Sequence, residues 1–167
     1  MPLKKLLHQT NTRLAVSESL TGGLLSATIV NTSGISSFYQ GGVTTYSLQS
    51  KEDILHVPLS HTTSTDGVDG HTAEMMAKGT TVLFQSDVAI ATTGIAERWD
   101  NREEQAFVAL YDARSQEVLV NHLLFGDELQ QQKIPAAQVR SFVRARVTKY
   151  CLEMLFQHLE RLALPQE

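Results

Sequence analysis

The chain has 167 residues, 42% apolar and 19% charged, with a formal net charge of −4. This is the composition of a globular chain with enough apolar residues for a sizeable core, which excludes a disordered one. The acidic balance, without a compensating Lys/Arg cluster, argues against nucleic acid as a partner, and no run is long and apolar enough for a membrane span.

The opening M-P-L-K-K-L-L-H-Q-T has too short an apolar part for a signal peptide, so a cytoplasmic location is expected. Within it, Leu3 to Gln9 is predicted as a short amphipathic helix with Leu3, Leu6 and Leu7 on one side. Arg13 to Val16 reads as the first strand and Thr21 to Asn31 as the helix after it, joined through Ser17, Glu18, Ser19, Gly22 and Gly23. A strand that turns sharply into a helix aims several backbone N–H groups at one spot, with the helix dipole behind them. Ser19 at that turn is placed to attack a carbonyl whose developing oxyanion those groups would receive. Ser and Thr are also common as plain helix caps, and local composition by itself favours the cap over the nucleophile.

A loop over Thr32 to Ser37 leads to the strand V-T-T-Y-S, Val43 to Ser47, and a helix over Ser50 to Leu55 follows a Ser cap. The polar stretch 58–70 is predicted as loop. It holds His61, Asp66 and Asp69 and is followed by His71, but it lacks the helical spacing of a metal site, so no metal is expected there. Asp69 is a candidate cap for a helix over His71 to Phe84, with Ala73, Met76, Ala77, Thr80 and Leu83 facing inward. Val88 to Thr92 is a buried-type strand and Glu97 to Gln105 an exposed loop. Phe107 to Tyr111 and Val118 to Leu124 form a predicted hairpin, and Ala136 to Leu162 a long helix with Val139, Val143, Val147, Cys151, Leu155, Leu159 and Leu162 at helical spacing. Cys151 is the sole cysteine, so no intrachain disulfide is possible. Early alternation of strand and helix with a late hairpin predicts an α/β fold, a three-layer α/β/α sandwich with a mixed central sheet, organised as a single domain over residues 1–167. Apolar residues near Phe38 and Tyr39 are expected to be exposed and to favour a homo-oligomer.

E-S-L-T-G-G (Glu18 to Gly23), V-T-T-Y-S-L-Q-S-K (Val43 to Lys51), T-T-G-I-A (Thr92 to Ala96) and the late Arg140 and Arg144 come in a specific order. Together they resemble the CinA C-terminal domain family, the nicotinamide-mononucleotide (NMN) amidases, over about residues 12 to 160. The family's pattern runs E-S-C-T-G-G, G-x-V-x-Y-S-x-x-x-K, T/S-G-I-A-G-P-D-G-G and R-x-x-x-R.

The resemblance implies hydrolysis of the nicotinamide amide of NMN to nicotinic acid mononucleotide and ammonia, with no cofactor. It implies Ser19 as nucleophile with Lys51 and Tyr46 beside it, and a pyridine nucleotide held by Glu18, Thr21, Gly22, Gly23, Thr93, Gly94, Arg140 and Arg144. The chemistry agrees with the residue types. Serine needs a base, and a lysine made neutral by burial or a neighbouring cation supplies one, with Tyr46 relaying a proton or orienting it. Backbone N–H groups of Thr21 to Gly23 would form the oxyanion hole. Arg140 and Arg144, four residues apart, share a helix face that suits a phosphate or plain solvent.

The chain departs from the pattern after Ala96, where E-R-W-D-N-R-E-E-Q replaces a glycine-rich loop. A loop without glycine approaches a ligand less closely, and Trp99 within it suits either ring stacking or a subunit contact. The alternative to an amidase is therefore a divergent paralogue that binds a nucleotide or a protein partner without cleaving it, or that hydrolyses a different amide.

Overall fold

The computed structural model describes residues 2–164. Its elements run α1 (Leu3–Gln9), β1 (Leu14–Glu18), α2 (Leu24–Val30), β2 (Tyr39–Thr44), α3 (Leu48–Leu55), α4 (Leu59–Thr65), α5 (Gly70–Phe84), β3 (Val88–Ile95), β4 (Gln105–Asp112), β5 (Glu117–Leu124), α6 (Gly126–Gln131) and α7 (Ala136–Ala163). The five strands form one sheet in the order β2-β1-β3-β4-β5. The first three are parallel, and β4 and β5 add to them antiparallel. The sheet is therefore mixed and lies between two helical layers, as an α/β sequence of this order predicts.

The two faces differ in side-chain size because successive strand residues point to opposite sides. Leu14 and Val16 of β1, Val88 and Ile90 of β3, and Val108 and Leu110 of β4 pack with Leu6 and Leu7 of α1, Leu25 and Ile29 of α2, and Val147, Cys151 and Leu155 of α7. The opposite face carries Ala91 and Ala109, which lie against Ala73, Met76 and Ala77 of α5 and Leu55 of α3. Small residues on this face let α5 come close. Gly79 carries the same principle to the next interface, since a Cβ there would stand 2.2 Å from the Leu55 carbonyl oxygen of α3.

Several expectations shift. β2 spans Tyr39–Thr44 and leaves the sheet before Tyr46, because Ser47 closes a reciprocal capping box with Ser50 and starts α3 earlier than expected. The stretch read as loop over 58–70 contains α4. Asp69 caps α5 as expected, accepting from the Thr72 N–H at 2.8 Å. Hydrogen bonds from Thr65, Thr72 and His61 outweigh its burial and pull its carboxyl down to about 2. Leu83 points outward on α5, and Phe84 takes the inner position against Gly41, because a 3.6-residue period carried on from Thr80 falls at residue 84. Phe38 and Tyr39 are half-buried against the core, with the Tyr39 hydroxyl 2.7 Å from Ser26 Oγ, so they form no exposed apolar patch.

The position of the site follows from the crossovers. From β1 the chain crosses to β2 through α2 on one face, then from β2 to β3 through α3, α4 and α5 on the other. Loops leave β1 and its neighbours in opposite directions, which opens a crevice at the carboxyl ends of β1, β2 and β3.

Candidate active site

A cavity of about 460 Å³ occupies that crevice. Ser19, Tyr46, Lys51, Thr93, Gly94 and Arg140 line it, so six of the residues singled out in the sequence meet on one surface.

Ser19 follows the last residue of β1, and its N–H donates to the Thr92 carbonyl on β3 at 2.9 Å, which fixes the start of the turn. Lys51 lies in the first turn and a half of α3, where its side chain runs inward and is only 2% exposed. Its Nζ lies 3.1 Å from Ser19 Oγ and donates to the Thr45 carbonyl at 2.8 Å. Gly67 packs its backbone on the aliphatic stem; a Cβ there would meet Lys51 Cε at 3.5 Å, and the residue holds φ +67°. Burial lowers the Lys51 ammonium to about 8, against a smaller upward pull from the Asp66 carboxylate at the cavity wall. The pair therefore joins a hydroxyl to an amine that gives up its proton far more readily than an ordinary lysine, with about a tenth of it neutral at pH 7 and half near pH 8.

Glu18 lies behind the cavity and is 1% exposed. Its carboxylate accepts from the N–H groups of Gly23 and Leu25 at 3.0 Å each and of Ser26 at 2.8 Å, capping α2 from the strand before it. The Gly22 N–H donates to the Ser19 carbonyl at 3.1 Å. The amides of Gly22 and Gly23, expected to receive an oxyanion, are thus already used within the turn. Those of Leu20 and Thr21 have no acceptor among the described residues, and Leu20 lines the cavity. Gly22 and Gly23 adopt φ of +57° and +93°, which is what the tight strand-to-helix turn requires of them.

Arg144 does not join Arg140 in a clamp. Its Nε and Nη2 donate to the Thr21 carbonyl at 3.2 and 2.7 Å, tying α7 to the turn outside the cavity. Thr21 is likewise internal, its hydroxyl 2.8 Å from that of Thr92. Thr93 donates to the Gly67 carbonyl at 2.6 Å and so links β3 to the loop covering Lys51. Gly94 leaves no room for a side chain against β4, since a Cβ there would stand 2.3 Å from the Gln105 carbonyl oxygen.

Tyr46 is 62% exposed at the rim, and its hydroxyl accepts from Arg140 Nη2 at 2.8 Å. Arg140 Nη1 donates in turn to Glu97 Oε1 at 2.9 Å. Trp99 completes this wall, more than half exposed, in a turn where the Trp99 and Arg102 backbones pair. Thr45, Gly67 and Glu97 were not singled out in the sequence, and Asp66 was weighed there only as part of a metal cluster. Asp66 and Gly67 lie in the stretch read as loop, and Thr45 contributes only a main-chain carbonyl, which no side-chain pattern reveals. Among the described residues, no group of three or more His, Cys, Asp or Glu is arranged to hold a metal ion, and no helix is long and apolar enough to cross a membrane.

The family model of the CinA C-terminal domain matches residues 2–159. A CinA-like protein of Syntrophus aciditrophicus (strain SB) is 36% identical over 166 residues, covering 97% of this chain and 37% of its own length. The match to a Thermoanaerobacter sp. (strain X514) protein, 34% identical, covers 93% of this chain and 35% of that one, so the chain spans about a third of the length of these curated relatives. Among solved structures, a CinA superfamily protein of Klebsiella pneumoniae 700603 superposes with a TM-score of 0.80 at 24% identity, covering 94% of this chain and 92% of that one. The competence/damage inducible protein CihA of Agrobacterium tumefaciens gives 0.71 at 26%, covering 96% of each.

Proposed function

The chain belongs to the CinA C-terminal domain family, and from that membership and the cavity chemistry we propose that it is an amide hydrolase of the nicotinamide-nucleotide type, releasing ammonia from NMN. The observation that carries the proposal is the buried Lys51 Nζ at 3.1 Å from Ser19 Oγ. In this reading, neutral Lys51 takes the Ser19 proton as Oγ adds to the amide carbonyl carbon, and the carbonyl π pair moves onto oxygen. The amide of Leu20, which lines the cavity and has no other acceptor among the described residues, is the donor left to receive that oxyanion. Collapse of the adduct breaks the C–N bond, and Lys51 returns the proton to the departing nitrogen, which leaves as ammonia. The ester left on Ser19 is hydrolysed by a water that Lys51 deprotonates, freeing the acid and restoring the hydroxyl. Tyr46 and Arg140 then act at the rim as substrate-orienting groups, with the Trp99 ring offering a face for stacking.

The cavity volume falls within the range of small-molecule sites. A second reading, binding without turnover, draws support from the rim, where Tyr46 is engaged with Arg140 and no glycine-rich loop is present. Ammonia release from NMN by the purified protein separates the two. Turnover reduced at least about 1,000-fold in both Ser19→Ala and Lys51→Ala is the expected result. A wild-type protein that binds NMN yet releases no ammonia would leave the second reading standing.

A further inference from the structure

We infer that Glu97 is an internal competitor for the anionic end of the substrate, so that the resting cavity has its own carboxylate seated where a substrate phosphate would bind. This rests on the reading above only in taking the cavity as the substrate site. Arg140 lines the cavity, and its two terminal nitrogens are divided between Glu97 Oε1 and the Tyr46 hydroxyl. A carboxylate and a phosphate present the same kind of charged acceptor to a guanidinium, so both compete for Nη1. Because the Tyr46 oxygen accepts from Arg140, its own O–H remains free to donate to an incoming oxygen, and no acceptor for it occurs among the described residues.

The occupant is held loosely enough to leave. The side chains of Glu97 and Arg140 are 53% and 44% exposed, and an ion pair so open to water is weak and sensitive to salt. Glu97 also lies one residue past Ala96 at the beginning of the 96–104 loop, so displacing it needs a side-chain rotation and no movement of the sheet. The neighbouring Arg98 does not substitute as anchor, since its guanidinium faces Glu103 at 3.2 Å. The consequence is selectivity. A dianionic phosphate displaces Glu97 at a cost, whereas an amide without an anionic tail leaves the pair intact.

The test compares wild type, Glu97→Gln and Arg140→Ala by calorimetric titration with inorganic phosphate, NMN and the nucleoside lacking the phosphate. Glu97→Gln is expected to bind inorganic phosphate about three- to fivefold more tightly than wild type and to raise the nucleotide-to-nucleoside affinity ratio by the same factor, a gain that shrinks at high salt. Arg140→Ala is expected to bring that ratio close to one. Unchanged phosphate affinity in Glu97→Gln, or an undiminished ratio in Arg140→Ala, overturns the inference. Tighter phosphate binding by Glu97→Gln, together with a wild-type protein that releases no ammonia from NMN, would sustain it while removing the amidase reading.

Discussion

A lysine with 2% of its surface in water is costly to keep charged, and Lys51 keeps its Nζ against Ser19 and Thr45 in that state. Its depressed value of about 8 sets a direction for pH. In the proposed mechanism the base is the neutral amine, so kcat/KM for ammonia release should rise about tenfold per pH unit below 8 and level off above it, which a pH–rate profile will read. For stability the sign also follows: an unfolded lysine holds its proton more tightly, so the burial cost is present at neutral pH and fades as pH rises from about 8 toward the ordinary lysine value. Lys51→Met should therefore raise the thermal midpoint, by the equivalent of about 1 kcal/mol, in a protein with no turnover. Glu18 stands at the opposite extreme. Glu18→Ala removes the acceptor of three helix amides and should cost about 2–4 kcal/mol in chemical denaturation, because those donors are left buried and unpaired.

At the level of elements, the Ser19–Lys51 geometry depends on how closely α3 lies on α5. A methyl at Gly79 would strike the Leu55 carbonyl at 2.2 Å, so Gly79→Ala must push α3 away and carry Lys51 from Ser19. Steady-state kinetics should show the loss mainly in kcat, with a stability cost of about 1–3 kcal/mol. What the sequence made legible was uneven for physical reasons. α1, β3, the β4–β5 hairpin and α7 follow from long or strongly patterned runs, and Ser19 meeting Lys51 follows from motif order. α4 was hidden because S-H-T-T-S-T is rich in residues whose side chains compete for backbone bonds and disfavour helix. Glu18 and Arg144 carried signals that suited a ligand, yet both hold the turn from behind, since a buried carboxylate or guanidinium facing main-chain groups has the same sequence as one facing substrate. The β-branched run at Val43 to Thr45 suggested a strand reaching Ser47, but the Ser47–Ser50 capping box ends it sooner and turns Tyr46 outward to the rim.

Across the whole molecule, the end of the sheet away from the cavity is locked by a buried polar group. His158 Nε2 lies 3.0 Å from Asp112 Oδ2, and Arg161 reaches its Nδ1 at 3.0 Å. A guanidinium only donates, so Nδ1 carries the lone pair and Nε2–H points at Asp112. Burial would raise the Asp112 carboxyl, but hydrogen bonds from Arg114 and His158 hold it below the ordinary carboxylate range. Its stabilising contribution is then complete above about pH 4 and is lost as pH falls through the lowered value. Asp112→Ala, which strands His158, should cost about 3 kcal/mol at neutral pH, read as a lower denaturation midpoint.

The antiparallel pairing of β3 with β4 begins at Ile95 opposite Gln105, so the segment between them hangs from two points the sheet already clamps side by side. Its ends do not move when its contents change, and lengthening it costs little closure entropy. That makes residues 96–104 an exchangeable cassette. A glycine-rich segment grafted between the same anchors should fold on this scaffold with Ser19 and Lys51 undisturbed, so that what the cavity admits can be exchanged separately from the pair at its floor.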